Sequence, residues 1–381
     1  MQPLKVMTVV GTRPEIIRLS EVIRECDRCF RHVLVHTGQN WDYTLNQVFF
    51  EELQLRPPDY YLGAAEESLG ATIGNIISKS YEVLQRERPD ALVILGDTNS
   101  CLCAIPAKRL KIPVFHLEAG NRCFDENVPE EINRRIVDHI SDVNLAYTEH
   151  SRRYLLSEGI RKDFVFVIGS PMAEVLHKNR DRIQSSTILN ELGLRPGEYF
   201  LVSAHREENV DDLSHLRSLV ESLSAVAEEY GFPIIYSTHP RSWKRIDESG
   251  LPLHPLVKRM RPFGFLGYNK LQLNAYCVLS DSGTLSEESA ILGFPAVLIR
   301  TSTERPEVLD KGAIVIGGIH RESILQAIEL SRRLWEAEGR PPLPADYHDT
   351  NVSSKVVRIV QSYTPIVNRV VWGKSNWIGE S

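Results

Sequence analysis

The sequence predicts an α/β fold made of two doubly wound parallel domains, and three observations support this class. Short runs of consecutive apolar residues, rich in valine and isoleucine, alternate along the chain with stretches of helical period. Apolar runs without polar alternation are typical of parallel strands covered by helices on both faces. The alternation restarts in the second half, and 381 residues exceed the usual length of one domain, so we expect two domains.

The first half contains four apolar runs that we predict to be strands. Gly11 closes the first run, and Pro14 then opens a helix with apolar residues at Ile16 and Ile23. The predicted strands are residues 5–10, 32–36, 91–95 and 112–117. With the helices between them they form the expected first domain, residues 1–170.

The second half repeats this order and is expected to form a second domain, residues 171–363. Its predicted strands are residues 199–203, 233–237, 275–279 and 296–299, with a helix at 213–230 and a helix and turn at 182–196. A last helix is predicted at 352–363, followed by an irregular basic and aromatic tail that contains Trp372 and Trp377.

Composition and motifs exclude several classes of function. A net charge of -6 disfavours non-specific nucleic-acid binding, and no uninterrupted apolar segment is long enough to span a membrane. Because no signal-peptide pattern follows Met1, we expect a cytoplasmic protein. The sequence has neither a dinucleotide fingerprint after the first strand nor a phosphate loop of the ATPase type, and its cysteines lack zinc-site spacing. We therefore expect no redox cofactor and no metal.

Polar side chains follow the predicted strands of the first half, at the edge where parallel sheets bind ligands. Asp97 comes directly after the third strand and Glu118 after the fourth. Arg13 follows the first strand, and Glu130 lies where a further helix begins. Carboxylates gathered at this edge suit general acid and base catalysis. For Glu130 the alternative is a structural role, because a glutamate in a first helical turn stabilises the helix dipole.

The second half carries groups that suit a phosphate or a nucleoside. Ser282, Gly283 and Thr284 lie between a strand and a helix, where hydroxyls and free N–H groups bind phosphate, although an ordinary helix cap is the alternative. Glu288 in that helix can accept hydrogen bonds from both hydroxyls of a ribose, or it can be a solvated surface residue. The remaining candidate donors to a phosphate are His205, Arg206 and Arg305. The alternative for each is an exposed loop side chain that contacts only solvent.

These clusters together resemble a known family. The motifs are Gly11-Thr12-Arg13-Pro14-Glu15, His36-Thr37-Gly38-Gln39, Gly96-Asp97-Thr98, His116-Leu117-Glu118-Ala119-Gly120, Pro129-Glu130-Glu131-Ile132-Asn133-Arg134, His205-Arg206, Asp281-Ser282-Gly283 and Thr303-Glu304-Arg305-Pro306-Glu307. Their order is similar to that of the non-hydrolysing UDP-N-acetylglucosamine 2-epimerases. The resemblance implies a GT-B architecture of two Rossmann-like domains, a UDP-sugar in the cleft between them, a homodimer, and a C-terminal segment, residues 364–381, that packs back on the first domain.

The resemblance also implies roles for individual residues. It makes Asp97, Glu118 and Glu130 the acid and base groups, with Arg13 and Arg18 beside the pyrophosphate. It makes His205, Arg206, Ser282, Gly283, Thr284, Glu288 and Arg305 the residues that hold the uridine diphosphate, with Glu288 on the ribose. No cofactor is implied, because the reaction has no net redox change.

The sequence departs from common members of that family near the expected sugar. The segment after Glu118-Ala119-Gly120 is short, Arg18 replaces a frequent lysine, and Thr284 replaces a frequent glycine. These departures resemble the branch that converts UDP-2-acetamido-2,6-dideoxy-L-talose to UDP-N-acetyl-L-fucosamine for capsule or O-antigen synthesis. The alternatives are a UDP-N-acetylglucosamine 2-epimerase, a diacetamido-glucuronate epimerase, a hydrolysing epimerase, a GT-B glycosyltransferase and a non-catalytic nucleotide-sugar sensor.

Overall fold

The computed structural model describes residues 2–38, 47–126, 128–300 and 303–374, except for the side chains of Glu207 and Glu208. Contacts divide the chain into two units, residues 1–175 with 348–381, and residues 176–347. Of the predicted features, Gln39 of the second motif and Trp377 of the tail lie outside the described residues.

The first unit is built on a seven-stranded sheet with the order β3-β2-β1-β4-β5-β6-β7. All neighbouring strands of this sheet run parallel. The strands are β1 (Lys5–Val10), β2 (Arg31–His36), β3 (Tyr60–Tyr61), β4 (Ala91–Leu95), β5 (Val114–Leu117), β6 (Val143–Ala146) and β7 (Val165–Val167). Because β1, β4 and β5 are neighbours, their carboxyl ends lie side by side.

Helices connect these strands, as the parallel order requires. They are α1 (Arg13–Cys29), α2 (Gln47–Glu52), α3 (Leu69–Glu87), α4 (Ala104–Arg109), α5 (Pro129–Ile140), α6 (Glu149–Ser157) and α7 (Pro171–Lys178), with 3₁₀ turns at Asn99–Cys103 and Lys162–Phe164. Pro14 stands in the first turn of α1, where its missing N–H costs nothing. The core is apolar and includes Met7, Leu92, Ile94 and Val114.

The second unit has a six-stranded sheet with the order β10-β9-β8-β11-β12-β13. All its neighbouring strands are also parallel. The strands are β8 (Phe200–Ser203), β9 (Ile234–Ser237), β10 (Val257–Met260), β11 (Cys277–Ser280), β12 (Ala296–Leu298) and β13 (Val315–Ile316). The carboxyl ends of β8 and β11 are therefore adjacent, which brings the loops after these strands together.

The helices of the second unit follow the same alternation. They are α8 (Arg180–Gln184), α9 (Ile188–Glu191), α10 (Glu207–Val210), α11 (Leu213–Tyr230), α12 (Pro240–Ser249), α13 (Phe265–Asn274), α14 (Thr284–Glu288), α15 (Pro306–Asp310) and α16 (Arg321–Glu338), with a π turn at Ser289–Gly293 and a 3₁₀ turn at Ala345–Tyr347. Asp212 caps α11 by accepting hydrogen bonds from the N–H groups of Ser214 and His215. The helix ends at Gly231, whose φ of 66° is the left-handed conformation that glycine adopts readily.

The last helix, α17 (Val352–Val370), groups with the first unit and packs against α1. The predicted end of this helix at residue 363 is wrong, because α17 continues through Pro365. Proline removes one backbone hydrogen bond, but Val360, Thr364 and Val367 are fully buried on one face, and this packing holds the next turn in place.

The α/β class predicted from the sequence is confirmed, and each of the eight predicted strands is present within two residues. The prediction missed five strands: β3, β6, β7, β10 and β13. β3 and β13 have only two residues each, and polar residues interrupt β6 at Asn144 and β10 at Lys258 and Arg259, so these four strands give no unbroken apolar run. Contact grouping places all of residues 348–381 with the first unit, whereas the predicted second domain extended to residue 363. In the described part of the chain no helix is long and apolar enough to cross a membrane.

Candidate active site

Arg18 and Glu118 form a buried ion pair at the carboxyl edge of the first sheet. Glu118 directly follows β5, and Arg18 reaches it from the second turn of α1. Glu118 is 8% exposed and Arg18 is 5% exposed. Asn121 donates a second hydrogen bond to Glu118 at 3.2 Å. Glu118 has a φ of 66°, which is unusual for a residue other than glycine. Such strain occurs where the surrounding structure fixes the conformation, often at a functional site.

Asp97, which follows β4 and Gly96, is held by an arginine of α5. Arg134 donates to Asp97 Oδ2 from Nε at 3.0 Å and from Nη2 at 2.5 Å. The side chain of Asp97 remains 20% exposed, whereas that of Arg134 is 4% exposed. Arg134 therefore fixes the orientation of the Asp97 carboxylate, and part of this carboxylate remains accessible to solvent.

Glu131, rather than Glu130, is the glutamate that Arg134 joins to Asp97. Glu131 is fully buried and accepts hydrogen bonds from Arg134 Nη1 at 2.7 Å and from the N–H of Cys123 at 3.2 Å. Burial alone would raise the pKa of Glu131, but these two donors outweigh it and lower the pKa. Glu130 is half-buried in the same helical turn. Glu131 was not predicted from the sequence, although Arg134, three residues later, could have indicated an ion pair on one face of the helix.

Glu15 is a second carboxyl that sequence analysis did not select. It is buried in the first turn of α1, where it accepts hydrogen bonds from the N–H of Gly11 at 2.9 Å and from the Thr12 hydroxyl at 2.8 Å. Ser100, just after Asp97, donates to its other oxygen. Burial raises the pKa of Glu15 to about 7. Arg13, two residues earlier in the same turn, is half-buried, and its guanidinium lies 5.9 Å from the ring centre of Phe49.

In the second unit, Asp281 ties together the loops that follow β8 and β11. The buried carboxylate accepts hydrogen bonds from the N–H groups of His205 and Arg206, both at 2.9 Å, and from Asn209 Nδ2 at 3.1 Å. Arg206 in turn donates to the carbonyl of Asp281 at 3.0 Å. The predicted donors His205 and Arg206 are thus brought next to the segment that contains Ser282.

Glu304 lies against the turn formed by Ser282, Gly283 and Thr284. Its Oε1 is 3.3 Å from Arg206 Nη2, and its Oε2 accepts from Arg300 Nη1 at 2.7 Å. A Cβ atom built on Gly283 would collide with Oε1 of Glu304, so a larger residue at position 283 would force the end of the Glu304 side chain to move. The Ser282 hydroxyl also accepts from the Thr284 N–H at 3.4 Å, the local cap considered from the sequence.

Glu288 and Arg305 are both buried, so the surface alternative for these two residues is wrong. Glu288 accepts a hydrogen bond from Gln272 Nε2 at 2.5 Å. Arg305 Nη2 lies 3.3 Å from Glu287 Oε2, and Glu307 nearby accepts from the hydroxyl of Tyr347 at 2.5 Å. Burial raises the pKa of Glu307.

Comparison with known proteins decides the family. A family model described as UDP-N-acetylglucosamine 2-epimerase matches residues 24–361. The chain belongs to this family. A solved UDP-N-acetylglucosamine 2-epimerase from Rickettsia bellii is 48% identical with a TM-score of 0.90, and the match covers 98% of this chain and all of that one.

Two comparisons with a Methanocaldococcus jannaschii UDP-N-acetylglucosamine 2-epimerase agree. The curated sequence is 37% identical over 346 residues, which is 87% of this chain and 94% of that protein. Its crystal structure in complex with UDP-GlcNAc and UDP has a TM-score of 0.89 at 35% identity, covering 94% of this chain and 99% of that one. The chain is therefore a UDP-sugar 2-epimerase, an isomerase with a GT-B-like fold, as the motifs predicted.

Within each unit of this epimerase, the structure brings most predicted site residues together. Arg18 meets Glu118 in the first unit, and Asp97 meets an arginine that was not predicted. In the second unit Glu304 pairs with Arg206 and also lies against Gly283. Across the described residues, no group of three or more His, Cys, Asp or Glu side chains is arranged to hold a metal ion.

Proposed function

We propose that this epimerase inverts C2 of a UDP-2-acetamido sugar by eliminating UDP and adding it back. The observation that carries this proposal is the pair of arginine-held carboxylates, Asp97 and Glu118, at the ends of the neighbouring strands β4 and β5. An inversion needs proton transfer on both faces of the sugar, and two carboxylates on adjacent loops suit that requirement.

Elimination solves the chemical problem of removing the C2 proton. No carbonyl adjoins C2, so a carboxylate is too weak a base to remove this proton directly. When the C1–O bond to UDP breaks, C1 gains positive charge and the C2–H bond weakens. Loss of the proton gives a 2-acetamidoglucal and UDP, and protonation of C2 from the opposite face followed by return of UDP gives the epimer. The electrons of the C1–O bond leave with UDP and return with it.

We assign proton transfer to Asp97, Glu118 and Glu130. Arg134 and Arg18 donate hydrogen bonds to Asp97 and Glu118 and so hold two of these carboxylates in place. Positive charge at C1 lowers the basicity that the step requires. Arg13 and Arg18 would assist the departure of the diphosphate by stabilising its negative charge.

We assign UDP binding to the second unit. His205, Arg206, Ser282, Gly283, Thr284 and Arg305 would contact the diphosphate, and Glu288 the ribose. Arg206 and Arg300 converge on the carboxylate of Glu304, so guanidinium donors gather beside Gly283, which supports this assignment. No nicotinamide or metal takes part in the proposed reaction.

The names of the relatives favour UDP-N-acetylglucosamine as the substrate, with UDP-N-acetylmannosamine as the product. UDP-2-acetamido-2,6-dideoxy-L-talose is the second candidate, which the segment after Glu118 favours. Arg122 in that segment is completely buried and donates to Asp138 and Glu158, so the segment is anchored and cannot adopt an arbitrary course. The product of either reaction suits capsule or O-antigen synthesis.

Solvent exchange followed by NMR tests both the reaction and the substrate. The protein is incubated in D2O with each sugar separately, and the C1 and C2 protons are followed. Deuterium at C2 together with formation of UDP-N-acetylmannosamine would support the first candidate. Exchange only with the L-talose sugar would support the second, and no exchange with either would contradict the proposed reaction.

We also infer that the chain forms a homodimer. Helix α5 exposes Ile132 and Ile136, which are 53% and 40% accessible, and α3 exposes Leu69 and Tyr81. Exposed apolar side chains on helix faces are typical of protein interfaces. Sedimentation equilibrium should give twice the monomer mass, and Ile136→Glu should shift the equilibrium toward the monomer; a monomeric wild type would contradict the inference.

A further inference from the structure

His116 occupies the centre of the first sheet, between the loops that carry Asp97 and Glu118. The side chain is fully buried in β5, with β4 on one side and β6 on the other. Its Nε2 lies 2.8 Å from the carbonyl oxygen of Gly96, and its Nδ1 lies 2.9 Å from Asp138 Oδ1. A carbonyl oxygen only accepts hydrogen bonds, so Nε2 is the donor in the contact with Gly96.

Asp138 of α5 connects His116 to the segment that follows Glu118. It is 1% exposed and accepts hydrogen bonds from the N–H of Gly120 at 3.1 Å and from Arg122 Nη1 at 2.7 Å. Burial alone would raise the pKa of Asp138, but the contacts with His116 and Arg122 outweigh it and lower the pKa. The Asp138 carboxylate therefore contacts both His116 and the segment that follows Glu118.

Arg122 extends the network outward to Glu158. The guanidinium donates from Nε at 2.8 Å and from Nη2 at 2.6 Å to the two oxygens of Glu158, whose side chain is 26% exposed. Arg122 therefore bridges two carboxylates, Asp138 and Glu158. Hydrogen-bonded ion pairs of this kind avoid the large cost of an unpaired buried charge.

His116 and Asp138 each contact the backbone next to a proposed acid or base residue. Gly96 directly precedes Asp97, and Gly120 lies two residues after Glu118. Gly96, Glu118 and Gly120 have φ values of 74°, 66° and 84°, so both loops leave their strands through left-handed conformations. Local preference does not hold Glu118 in such a conformation, and a tertiary contact must do so.

We propose that His116 and Asp138 are positioning residues that set the loops carrying Asp97 and Glu118 at their catalytic spacing. This inference rests on the proposed function, which assigns proton transfer to these two carboxylates. Neither His116 nor Asp138 contacts the sugar in this assignment. Their effect is on the rate of the chemical step, because a carboxylate displaced by about 1 Å can lose on the order of 100-fold in rate.

Asp138→Asn is the principal test, with Glu158→Gln as its matched control. Asparagine keeps the size of the side chain but removes the charge that His116 and Arg122 face. We expect kcat to fall by at least about 30-fold, while KM and the Kd for UDP change by less than about threefold. Glu158→Gln removes the outer partner of Arg122 and leaves the contacts of His116 and Asp138 intact. It should change kcat by less than about threefold, whatever it does to Tm.

Two variants of His116 test its contacts with Gly96 and with Asp138 separately. His116→Gln places an amide donor near the carbonyl of Gly96, and His116→Asn places one near Asp138. Each should restore part of the kcat that His116→Ala loses, with KM nearly constant. These variants also replace Asp138→Asn as the test if that protein does not fold. No rescue by either amide, or equal loss of kcat in Asp138→Asn and Glu158→Gln, would overturn the inference in favour of a purely structural role.

The wild-type protein separates failure of this inference from failure of the proposed function. If the wild type epimerises neither sugar, the proposed function fails. Independently, two-bond 1H–15N spectra of the histidine-labelled wild type should show a proton on Nε2 of His116, and Asp138→Asn should shift the ring signals of His116. An unprotonated Nε2, or an Asp138→Asn enzyme with native kcat, would contradict the positioning role.

Discussion

Arg134 donates two hydrogen bonds to the same oxygen of Asp97, although 37 residues separate them in the sequence. The same guanidinium also pairs with the fully buried Glu131. One arginine of α5 therefore fixes the orientation of a carboxylate that follows β4. This contact makes Asp97 a well-positioned group at the edge of the sheet, and it leads to the first two predictions.

Asp97→Asn should lower kcat by at least about 100-fold, because the amide cannot accept the proton that the reaction moves. The Kd for UDP should stay within about twofold in calorimetry, since the proposed UDP ligands belong to the second unit. The control is Asp163→Asn, which changes an exposed carboxylate paired with Arg161 and should leave kcat unchanged. An Asp97→Asn enzyme with near-native turnover would remove Asp97 from the acid and base set.

Arg134→Gln should destabilise the protein by roughly 1 to 3 kcal/mol, because the buried Glu131 would lose the nearer of its two arginine partners while Arg135 still pairs with it. Urea unfolding at neutral pH measures this loss. Arg333→Gln breaks the exposed pair of Arg333 with Glu329 and should cost less than about 0.5 kcal/mol. Equal losses in the two variants would show that Arg134 contributes no more than a surface arginine.

Glu15 should make stability depend on pH between about 4.5 and about 7. Its pKa is raised in the folded protein, so the folded state binds more protons than the unfolded state in this range, and the free energy of unfolding falls as pH rises. The loss is complete above pH 7 and absent below pH 4.5, with an upper limit of roughly 3 kcal/mol.

Glu15→Gln tests this dependence by removing the titrating group. Relative to wild type, the free energy of unfolding of Glu15→Gln should increase as the pH is raised from 5 to 8. Glu329→Gln, at an exposed carboxylate, serves as the control and should show a constant difference from wild type. A constant difference for Glu15→Gln as well would mean that Glu15 titrates alike in the folded and unfolded states.

Gly283→Ala should weaken UDP binding by roughly tenfold, about 1.4 kcal/mol. The new Cβ would collide with Glu304, which must then move away from Arg206 and disturb the donors proposed for the diphosphate. Gly267→Ala is the control in the same unit, because its Cβ would approach Ile188 no closer than 3.6 Å. Calorimetry with UDP measures both, and native affinity in Gly283→Ala would exclude Gly283 and its neighbours from close contact with UDP.

Much of the fold was predictable because its signals are local. A parallel strand that is buried on both faces needs an unbroken apolar run, and residues 91–95 were predicted with their observed bounds. Short edge strands such as β13 carry no such signal, since two residues do not make a period. The course of α17 through Pro365 was also unpredictable, because packing of distant residues against its buried face outweighs the local preference of proline.

The sequence by itself determined the fold class, the family and the sites where polar groups follow strands. Tertiary structure decided which of these groups meet. Strand order places β1, β4 and β5 side by side, which lets Arg18 reach Glu118 across 100 residues. The rotation of α5 turns Arg134 toward Asp97, and only the folded sheet lets His116 touch both Gly96 and Asp138. Residue types and spacing are properties of the chain, but ion pairs depend on distances that form only when strands remote in sequence become neighbours.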